Sequence, residues 1–143
     1  MGIFGYRHYL EAGLNMNQEQ KLAQLKPEFR YKVRSILTEL ALWCQIHLPG
    51  RTPVLIETFR PQSRQDSLWA QGRTTPGKIV TWVLRGKHQT HSAADVGFSP
   101  LGNDGLWDAP PEAWAFYGHL VRKYDLIYGG DWHTPDRPHC EMK

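Results

Sequence analysis

His88-Gln89-Thr90-His91-Ser92-Ala93-Ala94-Asp95-Val96-Gly97-Phe98 runs from a polar loop into a segment of strand composition, Ala93 to Phe98, which Ser99-Pro100 and a loop rich in Gly and Asn then break. Upstream, Ile79 to Leu84 also has strand composition, and Ser63 to Gln71 reads as a helix ending at Gly72. Val54 to Thr58 is a β-branched run after the Gly50 to Pro53 turn, a strand that delivers Phe59 and Arg60 at its end. Further back, Phe29, Val33, Ile36, Leu37, Leu40, Trp43, Cys44 and His47 recur at three- and four-residue steps. Pro27 opens that helix and Pro49-Gly50 ends it. A shorter helix, Asn17 to Leu25, is expected before it, capped by Asn15 or Asn17.

Downstream of the quoted stretch, Pro110 or Pro111 opens a helix with Trp114, Tyr117, Leu120, Val121 and Tyr124 on one face. Gly129-Gly130 turns the chain toward a last strand, His139 to Met142. Helices come first and short strands follow, with no regular strand and crossover-helix alternation. The order implies an α+β fold with a small, largely antiparallel sheet and flanking helices.

With 143 residues, residues 1–143 are expected to form a single domain. A hydrophobic share of 41% against 22% charged places it among globular chains rather than disordered ones. The net charge of +3 is spread along the sequence, without the basic stripe or stacking motif of a nucleic-acid binder. A monomer without nucleic-acid partners is therefore expected. No stretch approaches the 18 apolar residues of a membrane span. Arg7, His8 and Glu11 interrupt any apolar core near the N-terminus, so no secretory signal is visible and synthesis in the cytoplasm is expected. Two cysteines, Cys44 and Cys140, are too few for a disulfide framework and read as free buried thiols.

Two segments concentrate chemistry: the stretch His88 to Asp95, and Asp136-Arg137-Pro138-His139-Cys140-Glu141. A catalytic zinc takes three protein ligands from His, Asp, Glu or Cys and keeps a fourth position for water. A loop His88 and a strand Asp95 can converge, and Pro135 and Pro138 stiffen the elbow that carries Asp136 and His139. Spacing alone leaves open both a metal site and a set of ordinary structural histidines.

The motifs extend further, through Thr58-Phe59-Arg60-Pro61, Arg64-Gln65, Gly72-Arg73-Thr74, Pro76-Gly77, Val80-Thr81, His88 to Asp95, Gly129-Gly130-Asp131-Trp132 and Asp136 to Glu141. From about Leu55 to the C-terminus, in this order and nearly this spacing, the chain resembles the zinc D,D-carboxypeptidases and phage L-alanyl-D-glutamate endopeptidases, which share the hedgehog-domain fold. The resemblance implies one zinc ion per chain held by His88, Asp95 and His139, with Asp136 as general base and Arg60 facing the reacting carbonyl. Arg64 is the next choice for that last role. Two positions depart from the family pattern: Gly86 stands where the family has Ser, and His91 where it has Gly. His91, His119 and His133 read as non-ligands, and Trp107 and Trp132 as core, cleft wall or substrate platform. Glu141, two residues beyond His139 on a strand, should share its face.

The function these residues imply is hydrolysis of peptidoglycan stem peptides by a zinc peptidase without a separate wall-binding domain. The bond expected to be cut is L-Ala-D-Glu, in a phage endolysin that reaches the periplasmic wall through a holin. The alternatives are a D-alanyl-D-alanine carboxypeptidase or dipeptidase using the same site, and a zinc-bearing wall-binding module without catalysis.

Overall fold

The computed structural model describes residues 18–100 and 108–143. Helical residues 18–23 lead into α1 (Pro27–His47), β1 (Thr52–Glu57) and α2 (Gln62–Ala70). A 3-10 turn (Lys87–Thr90) then precedes β2 (Ala93–Ser99) and α3 (Pro111–Lys123). The chain closes with β3 (Ile127–Tyr128), a 3-10 turn (Gly129–Asp131) and β4 (His139–Glu141). The four strands form one antiparallel sheet in the order β1-β2-β4-β3. This is the α+β architecture expected from the order of elements.

α1 forms because its apolar residues keep a helical period: Phe29, Val33, Ile36, Leu40 and Cys44 are buried on one face. Pro27 occupies the first turn, where no intrahelical N–H bond is lost, and Gly50 turns the chain with φ 84°. α3 buries Trp114, Tyr117, Leu120 and Val121 in the same core. Together the two helices cover Leu55, Ala94, Val96, Phe98 and Cys140 from the sheet. Complete burial of a side chain such as Phe29 contributes roughly 1.5–3 kcal/mol.

Strand side chains alternate between faces. Ala94, Val96 and Cys140 point into this core, so Asp95, His139 and Glu141 fall on the face turned away from α1 and α3. Both cysteines are buried free thiols, and burial pushes the Cys140 thiol up to about 12, which keeps it protonated.

Ile79 to Leu84 is not a strand. Its backbone finds side-chain donors in place of a neighbouring strand: Gln71 Nε2 donates to Lys78 O (3.0 Å), Arg73 Nη2 to Thr81 O (3.0 Å), and Gln62 Nε2 to Leu84 O (2.9 Å). Gln65 Nε2 donates to Val83 O. Ile79, Val80, Trp82, Val83 and Leu84 therefore stay exposed despite their β propensity, which reports fit to a half-buried sheet rather than a backbone preference. Elsewhere the boundaries move by one or two residues, β1 beginning at Thr52 and β4 ending at Glu141. The proposed caps Asn15 and Asn17, the N-terminal segment before them and Trp107 lie outside the described residues. Among the described residues no helix is long and apolar enough to cross a membrane.

Gly118 on α3 lies against the buried ring of Tyr128, where an added Cβ would stand 2.6 Å from Cε2. In an open helix Gly→Ala gains about 1 kcal/mol of propensity, whereas overpacking a core costs about 1–3 kcal/mol. Gly118→Ala should thus destabilise the fold by a net of about 0–2 kcal/mol, read as a lowered urea midpoint at unchanged m-value.

Candidate metal centre

The register of the sheet builds this site. Asp95 on β2 pairs directly with His139 on β4, so both side chains rise from adjacent points on the same face. The third group arrives from the 3-10 turn just before β2, which carries His88 back over the strand. His88 Nε2 lies 3.4 Å from Asp95 Oδ2, and His139 Nδ1 lies 3.3 Å from Asp95 Oδ1. One donor atom from each residue falls within 4.8 Å of the others.

Hydrogen bonds orient each donor inward. His88 Nδ1–H donates to Thr58 O (2.8 Å), which leaves Nε2 to carry the lone pair toward Asp95. His139 Nε2–H donates to Glu141 Oε2 (2.8 Å), which leaves Nδ1 in the same role. Fixing one ring nitrogen through a carbonyl or carboxylate is how metal-binding histidines are held in tautomer and orientation. Asp95 Oδ1 is buried and accepts no hydrogen bond. Such an orphaned oxygen is costly in a folded protein unless something else satisfies it. Ligand atoms about 2.0–2.1 Å from a tetrahedral ion lie about 3.4 Å apart, so each histidine stands at ligand spacing from one of the two Asp95 oxygens, and a small adjustment would bring all three residues onto one ion. The residues fit a divalent metal.

Burial alone would raise the Asp95 carboxyl, but His139 and His88 hold it well below the usual carboxylate range. Burial would likewise lower His139, yet Asp95 and Glu141 push its ring up to about 9, so without an ion Nδ1 holds a proton toward Asp95, and a metal would take that proton's place. Beside them Arg60 makes a bidentate pair with Glu57, Nε to Oε1 at 2.9 Å and Nη2 to Oε2 at 2.7 Å. Its remaining terminal nitrogen, Nη1, donates to Gln65 Oε1 (2.8 Å), and Nη2 stands 3.8 Å from Asp95 Oδ2. Desolvation works against the Glu57 charge, and the Arg60 pair still keeps its carboxyl low.

These groups line a cleft of about 940 Å³, which Asp136, Arg64, Val80, Val83 and Trp132 also border. Asp136 is on the exposed rim, but loss of hydration on its cleft side and then the charge of Asp95 raise its carboxyl. Its elbow is firmly seated. Asp136 N–H donates to Gly129 O (2.9 Å), and Pro138 O accepts from both Val96 N–H (3.0 Å) and the Tyr117 hydroxyl (2.9 Å). Gly129 permits this, since a Cβ there would meet Asp136 O at 2.4 Å.

His88, Asp95 and His139 converge as the sequence suggested, with Asp136 and Arg60 in the same cleft. Glu141 shares the face of His139 and bonds to it, as strand alternation required. His119 and His133 are exposed and His91 donates through Nδ1–H to Gln24 O (2.7 Å), so none of the three joins the cluster. His119 is on the outer face of α3, not in its packing. His91 occupies the left-handed region, φ 60°, in place of the family glycine, and its ring stacks on Phe59 at 4.4 Å. Trp132 is half-exposed, with its ring 4.9 Å from His139, as part of the cleft wall.

Sequence reasoning assigned no role to Thr58, Glu57, Gln65 or Gln89. Gln65 is the buried residue of α2 and ties Arg60 to Thr81 (3.3 Å), Val83 and Gln89 (3.4 Å). The available signal was a polar residue on the inward side of a polar helix.

No family model matches the chain. It is 31% identical over 103 aligned residues to the peptidoglycan L-alanyl-D-glutamate endopeptidase CwlK of Bacillus subtilis (strain 168), covering 65% of this chain. The chain spans 62% of the length of that relative. Among solved structures it is similar to the L-Ala D-Glu endopeptidase ChiX of Serratia marcescens, with a TM-score of 0.61 and 22% identity, over 88% of this chain and 86% of that one. The fold is therefore shared with that L-Ala D-Glu endopeptidase.

Glu141→Gln keeps the shape beside His139 but removes the charge that orients its ring. Such outer carboxylates typically contribute about 10- to 100-fold in metal affinity. Competition with a chromogenic chelator should show a loss of that size, whereas Ala at His88, Asp95 or His139 should abolish stoichiometric binding.

Proposed function

We propose that this chain, a sequence relative of one L-alanyl-D-glutamate endopeptidase with the fold of another, is a zinc peptidase that hydrolyses the L-Ala-D-Glu bond of peptidoglycan stem peptides. The observation that carries this reading is the geometry around Asp95. Two imidazoles with their outer nitrogens already committed face one largely buried carboxylate, in a cleft that also holds Asp136, whose carboxylate has no side-chain partner among the described residues.

Bound zinc supplies a water of lowered pKa and polarises the scissile carbonyl. His88, Asp95 and His139 are its ligands in this reading, with one ion per chain. Asp136 takes a proton from the attacking water on its carboxylate and passes it to the nitrogen of the leaving D-Glu. Its raised affinity for a proton suits both the taking and the giving. Arg60 acts by charge: pinned by Glu57 and Gln65 on the cleft wall, its guanidinium offsets the negative charge that develops on the carbonyl oxygen. Trp132 closes one side of the cleft against His139 and limits water there.

In this account the protein is an endolysin, made in the cytoplasm and delivered to the wall by a holin, acting as a monomer. Peptidoglycan is its partner in this account; neither nucleic acid nor a membrane is.

Digestion of purified Gram-negative peptidoglycan should leave L-Ala on the muramic acid and release peptides beginning at D-Glu, read by mass spectrometry of the new termini. Release of free D-Ala with intact L-Ala-D-Glu bonds would instead make the protein a carboxypeptidase, and an unaltered wall would make it a binding module. Asp136→Ala should retain zinc and the circular dichroism of the parent while turnover drops about 10²- to 10⁴-fold. Parental turnover in that variant would remove Asp136 from the mechanism.

A further inference from the structure

The charges around the cleft are sorted by depth. Its acids are mostly committed: Glu57 to Arg60, Asp95 to the two histidines, and Glu141 to His139. Arg60 is spent on Glu57, and Arg64 Nε leans on the same carboxylate at 3.3 Å. Two further cations border the cleft, Arg85, which is exposed, and Lys87, which is half-buried beside His88. Among the described residues neither has an ion-pair or hydrogen-bond partner for its side chain.

The backbone on both sides of Arg85 is pinned. Leu84 O accepts from Gln62 (2.9 Å), Val83 O accepts from Gln65, and Gly86 N–H donates to Gln89 Oε1 (2.6 Å). The loop therefore holds two unneutralised cations at a fixed edge of the site. Cations left unpaired beside a catalytic cleft attract and orient an anionic group of the ligand.

We infer that Arg85 and Lys87 form a carboxylate-binding subsite that recognises the free α-carboxylate of the D-Glu residue on the leaving side of the scissile bond. The inference rests on the peptidase reading above and adds to it a choice between substrates. In a stem peptide the chain continues through the γ-carboxyl of D-Glu, so its α-carboxylate stands one carbon from the nitrogen that leaves. Arg85 offers a planar pair of donors to that group, and Lys87 a point charge. Where the α-carboxylate is converted to an amide, the charge is gone and both cations lose their partner. Gly86, in place of the family serine, leaves recognition at this edge to the charged side chains on either side of it.

The test uses two synthetic stem peptides that differ only at this group, one with the free α-carboxylate and one with its amide. Exposed charge pairs each contribute a factor of about two to five, so two should give roughly a tenfold preference in kcat/KM for the acid, chiefly through KM. The preference should shrink as salt is raised. In Arg85→Ala/Lys87→Ala the acid should be cut no faster than the amide, with metal content unchanged because neither side chain hydrogen-bonds or ion-pairs with His88, Asp95 or His139. Calorimetric affinities of the metal-free protein for the same peptides supply a second readout independent of turnover. An acid preference in binding that the double variant loses supports the subsite even if neither peptide is cut, an outcome that would remove the peptidase reading alone. Equal cleavage and equal binding of acid and amide by the parent protein, or full discrimination in the double variant, would overturn the subsite and leave the peptidase reading in place.

Discussion

The largely buried carboxylate of Asp95 is the constraint around which the rest is arranged. A charge taken out of water on a protein sheet persists only where opposite charges or hydrogen bonds replace its hydration. Asp95 sits on a strand whose neighbours Ala94 and Val96 belong to the core, so it cannot retreat to solvent without unmaking β2. Everything near it answers that demand. His139 is placed opposite by the strand register, His88 is returned to it by a 3-10 turn, and Arg60 stands at 3.8 Å as a more distant positive charge. The site is thus a solution to an electrostatic problem that the fold itself creates.

The sheet divides the labour by face. α1 and α3 seal one side with an apolar core, and the other side carries polar machinery that this core holds still. α2 serves the polar side. It buries no apolar residue, and its one buried side chain, Gln65, spends its amide on Arg60, Gln89 and the 81–83 loop. Polar networks of this kind stay in place only when their members are satisfied together. The loop beyond α2 lacks strand partners for the same reason, since side chains of α2 and the residues after it already occupy its carbonyls.

Legibility followed the physics of each signal. α1 and α3 could be read because burial of one helical face leaves a period in the sequence, and β2 because a short β-branched and small-residue run ended at Ser99-Pro100. His88, Asp95, His139 and Asp136 could be named because the ordered motifs resemble those of a zinc peptidase family; residue chemistry and spacing by themselves left structural histidines as an equally open reading. Ile79 to Leu84 misled because β propensity is realised only beside another strand. The roles of Glu57 and Gln65 were not assigned: Gln65 stood in a quoted motif on the inward side of α2, but only the arrival of Arg60 in three dimensions shows what either residue binds. The fate of His91 was equally hidden. A left-handed turn disfavours any side chain, and it is accepted here because the imidazole stacks on Phe59 and bonds to Gln24 O, a compensation that depends on residues 32 and 67 positions away in the chain.

β4 pairs with β2 through only three residues, Ala93 with Glu141, Ala94 with Cys140 and Asp95 with His139. A ladder that short barely distinguishes its own alignment from one displaced by a single residue, yet such a slip would turn every side chain of β4 over. His139 would enter the apolar core, Cys140 would meet the cleft, and the three donors would never gather. An ion held by these three residues would consequently act as proofreading: only chains with the strands correctly aligned could bind it, and binding would draw the population toward that alignment.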